Sequence, residues 1–319
     1  SRQYGVGATV GNYAIFYGGD SSYSNATQDA YNESLTKTTF TSNYGKYRWI
    51  TAETIGNYAI FAGGSTEDSS TNIVSTVDAS LTVARRDYLM VDAHRSAATK
   101  VGNYALFGGG AYFWIDGDTG EIGDEACIGN MYAYNASLTR NRPTALAVPR
   151  AILGAATAGS YAIFAGGFTM SGSSAKVQTY NTSLTRGNAT DLSAGRECRG
   201  TTLGDYAIFF PGYSSGGSDT VVEAYDSSLT KKTLESIPKE RSSAGVAVTL
   251  GNYAMYAGAV SMTSYGRPAK TVDVYDGSLT RVAVEDMAND KLYPVGATVG
   301  NYALFTYSSS DGVEAYTIA

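Results

Sequence analysis

Seven basic residues recur along the chain at near-regular intervals: Arg2, Arg48, Arg95, Arg150, Arg196, Arg241 and Lys291. The fork of an arginine matches a carboxylate, so a ring of such residues would bind an anionic ligand. In a second reading, each arginine bonds the backbone of a neighbouring segment and serves only the frame. Recurrence in step with a repeat favours that structural role, because buried arginine is usually paired. Between the basic positions lie aromatic residues in polar surroundings: Tyr44, Tyr47, Trp49, Tyr112, Phe113, Trp114, Phe168, Tyr213 and Tyr265. Tyrosine and tryptophan offer wide, rigid contact area with a polar handle, which suits sugar and protein surfaces alike.

Other chemistry is excluded or thin. The chain has one histidine, His94, which argues against metal sites built from several imidazoles. The acidic stretch holding Asp116, Asp118, Glu121 and Asp124 could supply oxygen ligands to Ca²⁺. Its spacing does not match the EF-hand loop, so an acidic hairpin tip is expected there, with no metal and no cofactor. No P-loop, dinucleotide fingerprint or G-x-S-x-G elbow occurs. Cys127 and Cys198 are read as two thiols, since two cysteines in 319 residues make no disulfide framework. The net charge of −6 makes nucleic acid a poor partner. No apolar run approaches the roughly 20 residues that span a bilayer, so no membrane insertion is expected.

What positions these side chains is a repeat. A turn glycine recurs at Gly11, Gly56, Gly102, Gly159, Gly204, Gly251 and Gly300. Each opens a phrase of the form Gly-x-Tyr-Ala followed by apolar residues, as in GNYAIFAGG from Gly56 to Gly64, with x Asn except for Ser160 and Asp205. One copy reads as four strands: RSSAGVAVTL, YAMYAGA after the Gly-Asn turn, TVDVYD after a loop, and LTRVAVE after a second turn. Four-stranded repeats with a period of roughly 40–50 residues indicate a β-propeller. Seven copies predict an all-β, seven-bladed propeller forming a single domain over 1–319, with blades starting near 1, 47, 93, 149, 195, 240 and 291. Four residues before each turn glycine stands only Gly or Ala: Gly7, Ala52, Ala98, Ala155, Gly200, Ala247 and Gly296. This marks the innermost strand, where blades converge on the axis.

The repeat resembles the kelch family. That family carries an apolar strand ending in double glycine, here Gly18-Gly19, Gly63-Gly64, Gly109-Gly110 and Gly166-Gly167. It also carries a Tyr-Asp pair on the third strand, here Tyr225-Asp226 and Tyr275-Asp276, with Tyr-Asn at Tyr31, Tyr134 and Tyr180. The resemblance covers nearly the whole chain and implies a propeller. The family's fourth-strand tryptophan is absent, and a Ser-Leu-Thr word stands there (Leu35, Leu81, Leu138, Leu184, Leu229, Leu279). Copy seven stops after a third strand, so its fourth is expected in a flanking segment. The boxes of sialidase propellers are missing, and one histidine cannot build the copper site of galactose oxidase.

The two turns of each copy are nearly invariant, whereas the second-to-third and fourth-to-first connections vary in length and wording. Both variable sets fall on one face of a propeller. Loops on a rigid frame carry recognition, so the expectation is a non-catalytic module binding a protein or glycan ligand through that face. The low-charge, Tyr/Ser/Thr/Asn-rich surface points to an extracellular or cell-surface setting, as a monomer or a domain of a larger protein. Two alternatives stand: an enzyme acting on an acidic sugar with Glu53 or Asp92 as acid or base, and a structural ring within a larger assembly.

Overall fold

The computed structural model describes residues 4–19, 27–44, 46–66, 69–115, 122–215, 217–238, 245–261, 267–290, 293–306 and 312–317. Seven antiparallel sheets follow one another along the chain, arranged as a seven-bladed β-propeller. Six have four strands and, among the described residues, the seventh has three, each in chain order from the axis outward. Blade 1 runs Val6–Val10, Tyr13–Tyr17, Thr27–Asn32 and Lys37–Thr41. Blade 5 runs Cys198–Leu203, Tyr206–Pro211, Glu223–Tyr225 and Lys231–Thr233. Blade 7 runs Gly296–Val299, Tyr302–Thr306 and Val313–Tyr316. Four two-stranded ribbons rise from the second-to-third connections of blades 3 to 6, the longest pairing Ala111–Ile115 with Ile122–Cys127.

The repeated phrase is the second strand. After its half-buried tyrosine every copy has four successive buried residues, as in Tyr58–Ala62. A strand buried on both faces must be apolar without alternation, because a neighbouring blade covers each side. The apolar clusters accordingly each draw on two consecutive blades: Phe16 packs with Val295, Ala297 and Leu304, joining blade 1 to blade 7. In the Gly-Asn turn only the glycine takes positive φ (52° at Gly11), the pattern of a type II′ hairpin.

The Ser-Leu-Thr word has a conformational reason. The preceding Asn or Asp accepts two backbone N–H groups, as Asn181 Oδ1 does from Ser183 (3.0 Å) and Thr185 (2.9 Å). This forces the leucine into left-handed backbone, with φ of 61° at Leu184 and 59° at Leu35. Leucine resists that conformation. Five of the six leucines gain packing at the seam with the preceding blade, Leu184 against the cluster holding Leu106 and Phe164. Leu35 differs, being 37% exposed. Leu35→Gly is therefore expected to raise stability by about 0.5–1 kcal/mol, strain relief exceeding the entropy cost of glycine. Leu184→Ala is expected to lower it by about 1–2 kcal/mol, since it loses packing and keeps the strain. Urea unfolding of both variants checks the opposite signs.

In blades 3 to 6 the tyrosine of the Tyr-Asn or Tyr-Asp pair ties its blade to the one before, through Tyr134, Tyr180, Tyr225 and Tyr275. Tyr180 Oη donates to the Thr144 carbonyl and Tyr225 Oη to the Thr190 carbonyl, both at 2.7 Å. At the axis, threonine hydroxyls join adjacent innermost strands. Thr54 donates to the Thr9 carbonyl and Thr9 to the Thr298 carbonyl, each at 2.6 Å, so the ring closes between blades 7 and 1.

Candidate binding site at the axial mouth

The seven Gly and Ala residues of the innermost strands form a waist where two cavities meet. One, of about 640 Å³, opens on the constant-turn face and is lined by Thr9, Thr54, Thr157, Thr202, Thr249 and Thr298, with Glu53 and Lys100. The other, of about 650 Å³, opens on the variable-loop face. This second vestibule holds the convergent chemistry.

Its rim is made by the residue seven places before the turn glycine in five blades: Tyr4, Trp49, Arg95, Ile152 and Tyr293. All five have positive φ, between 51° and 61°. Backbone bonds run around the rim from one to the next. Trp49 N–H donates to the Tyr4 carbonyl (2.8 Å), Arg95 to Trp49 (3.2 Å) and Ile152 to Arg95 (3.0 Å). Bulky residues held in left-handed backbone cluster at functional sites. Here the conformation gathers side chains at the axis. Tyr4 meets Tyr293 at 4.1 Å between ring centroids and Trp49 edge-on at 5.0 Å. The Arg95 guanidinium lies 4.2 Å from the Trp49 ring centroid, and that of Arg48 lies 5.5 Å from Tyr4. Burial, and then the hydrogen bond with Tyr293, push the Tyr4 phenol up to about 12, so it stays protonated at neutral pH.

Blade 5 departs from this pattern. The Arg150 and Arg196 carbonyls accept from equivalent glycines, Gly110 and Gly167. From Arg150 to the waist residue Ala155 is 155−150=5 positions, and from Arg196 to Gly200 is 200−196=4. Blade 5 is thus one residue short and lacks the left-handed rim position. Glu197, Arg199 and Tyr213 line the vestibule in that gap. Glu197 is 8% exposed, and burial pushes its carboxyl above the ordinary carboxylate range, against the pull of Arg199 and Arg95.

The basic positions read from the sequence are divided by the structure. Arg95 lines the mouth, and Arg48 supports it from behind Tyr4. Arg150 and Arg196 do not face the channel, which corrects the expected ring: both are fully buried inside their blades. Arg150 donates to Gln178 Oε1 (3.0 Å) and the Phe164 carbonyl (3.1 Å), and burial lowers it to about 10. Arg196 pairs with Glu223 (2.6 Å) and Asp219 (2.5 Å). Arg2, Arg241 and Lys291 lie outside the described residues, as does Tyr265.

Of the aromatic candidates, Trp49 and Tyr213 line the vestibule. Phe113 stacks on buried His94 at 4.8 Å, and His94 lies 5.8 Å from Trp49. Tyr47 packs into the seam of blades 1 and 2, and Tyr112 into that of blades 2 and 3. Tyr44 and Phe168 are half-buried away from the mouth. Trp114 and Asp124 belong to the long ribbon, with side chains outside the description, while Asp116, Asp118 and Glu121 lie outside it altogether. Glu53 faces the opposite cavity and Asp92 is an exposed loop residue, so the two alternative acids share no site. Both cysteines are free thiols.

No family model matches this chain, and no curated protein matches it. Among solved structures it is similar to one described as "Structure of YjhT", with a TM-score of 0.65 and 11% identity, over 88% of this chain and 96% of that one. The likeness is one of fold. It agrees with a seven-bladed propeller and carries no residue roles. No described helix is long and apolar enough to cross a membrane.

Tyr4, Glu197 and Arg199 were not among the sequence candidates. The signal for the rim is the offset of seven from the turn glycine, which selects Tyr4, Trp49, Arg95, Ile152 and Tyr293 and also, in blade 5, Glu197 (204−7=197). The signal for Glu197 is the missing residue between Arg196 and Gly200.

Proposed function

We propose that this protein is a non-catalytic recognition propeller that binds a glycan in the vestibule on its variable-loop face. The observation that carries this reading is the convergence of Tyr4, Trp49 and Tyr293 with Arg95, Glu197 and Arg199 on one concave axial site of about 650 Å³. Pockets of this size, with aromatic walls and a few placed polar groups, suit a small ligand or a chain end. A protein partner, by contrast, usually meets a broad surface. Among the described residues that line the site, Glu197 is the one carboxylate, whereas most glycoside hydrolases use two flanking the scissile bond. That favours binding over turnover. The double glycines and Tyr-Asp pairs support kinship with kelch-repeat proteins, and the polar surface supports an extracellular or cell-surface setting.

A glycan and peptide array followed by calorimetry tests this reading. Trp49→Ala is expected to weaken glycan binding at least tenfold, with the unfolding transition still cooperative. Turnover of a glycan would overturn the reading, as would binding of peptides alone with an affinity indifferent to Trp49→Ala.

A further inference from the structure

Glu197 is unlike the other deeply buried carboxylates. Glu223, fully buried, is satisfied by Arg196 (2.6 Å), Lys231 (2.9 Å) and the Ser193 N–H (3.1 Å). Glu197 is more than nine-tenths buried, yet among the described residues no hydrogen bond or ion pair reaches its carboxylate. Only its backbone is engaged, through N–H donation to the Tyr213 carbonyl at 2.8 Å. The nearby cations are committed elsewhere. Arg199 donates to the carbonyls of Gly245 (3.2 Å) and Cys198 (3.3 Å), and Arg95 lies on Trp49. They act on Glu197 through space, from blade 5 itself and from blade 3. That reach from blade 3 fits a carboxylate facing the axis.

The corresponding position in blades 2, 3 and 4 is held by Arg48, His94 and Ala151, each bridged to its own second-to-third connection. None of the three lines the vestibule, because a rim residue follows and covers it. In blade 5 the covering residue is missing, so the same bridge leaves Glu197 open to the cavity. Its oxygens reach the cavity while the rest of the residue is shielded, so a ligand that supplies donors there takes the place of water on a largely desolvated carboxylate. An ionised carboxylate accepts only, through two oxygens side by side. Two adjacent hydroxyl groups match it.

Resting on the glycan reading above, we infer that Glu197 is the specificity-determining residue of the vestibule and selects a neutral saccharide presenting a vicinal diol over an acidic one. A ligand carboxylate placed against Glu197 would add like charge in a desolvated site. The aromatic side of the mouth then takes the apolar face of the sugar, and Glu197 reads its hydroxyl edge.

The probes are methyl mannoside, methyl glucoside and methyl glucuronide, titrated by calorimetry into the wild-type chain, Glu197→Gln and Glu197→Asp. Wild type is expected to bind a neutral glycoside at least tenfold more tightly than the glucuronide. Glu197→Gln is expected to lose at least tenfold with an unchanged unfolding midpoint, and Glu197→Asp to recover part of the loss. A second readout is pH. The diol binds the ionised carboxylate, so wild-type affinity should fall as pH drops through the raised Glu197 range, while the Gln variant stays flat. Among the described residues, the other charged or phenolic groups lining the vestibule with Glu197 are Arg95, Arg199, Tyr4, Tyr213 and Tyr293, and the phenol of Tyr4 stays protonated throughout this range. Tighter binding of the glucuronide, or a Gln variant that binds as wild type, overturns the inference and leaves the glycan site standing. A wild-type chain that binds no saccharide on the array overturns both.

Discussion

Arg196→Ala is expected to destabilise the protein by about 3–5 kcal/mol, because removing one partner of a buried ion pair strands the other. The side chains of Arg196 and Glu223 are both fully shielded from water. Glu223 would keep Lys231 at 2.9 Å and the Ser193 N–H, which places the expected loss toward the lower end of that range. The double variant Arg196→Met with Glu223→Met should recover most of the loss, since an apolar pair of similar volume tolerates the site. Blade 4 supplies the internal comparison. Arg150 has only neutral partners, Gln178 and backbone carbonyls, so Arg150→Met should cost about 1–3 kcal/mol. Urea unfolding measures all three. A loss below about 1 kcal/mol for Arg196→Ala would show that the pair is not a structural pin.

Gly7→Val is expected to cost about 3 kcal/mol or more, the upper end of overpacking effects. A β-carbon on Gly7 would sit 1.9 Å from the Gly296 carbonyl oxygen and 2.7 Å from its carbon. Both are backbone atoms of the neighbouring innermost strand, so no side chain can swing aside. The strain falls on the seam between blades 7 and 1, where Thr9 clasps the Thr298 carbonyl. Hydrogen exchange should rise first in Val6–Val10 and Gly296–Val299. Gly204→Ala is the control. Nothing lies within 4 Å of its β-position, so only its φ of 56° opposes the change, at about 1–2 kcal/mol. Equal losses for the two variants would mean that the close approach at the waist contributes nothing of its own.

The frame was legible because its constraints repeat. Seven turn glycines, seven small waist residues and seven apolar second strands each answer one packing demand imposed seven times. The site was only half legible, for a reason of phase. The seven basic residues stand at different offsets from their turn glycines: Arg95 seven before, Arg196 eight before and Arg150 nine before. Arg95 stands at the left-handed rim position and reaches the axis, whereas Arg150 stands two places earlier in its copy and enters the blade. Aligned on the glycines, the sequence would have set Tyr4, Trp49, Arg95 and Tyr293 in one column. Leu184 shows a different limit. A leucine in left-handed backbone contradicts local preference; the Asn181 turn imposes it, and packing against the cluster that holds Leu106 of the preceding blade offsets it. That contact joins the third-to-fourth turn of one blade to the second strand of the blade before it, and no periodicity in the sequence reports it.

The deletion in blade 5 has a consequence for orientation. A mouth built from seven like units would offer a guest seven nearly equal azimuths, and a ligand would be held without being aimed. One missing residue breaks that rotational degeneracy. It acts as an index mark on a dial, setting an acidic sector opposite an aromatic one, so that a bound molecule has one heading and presents the same end to whatever lies beyond the loops.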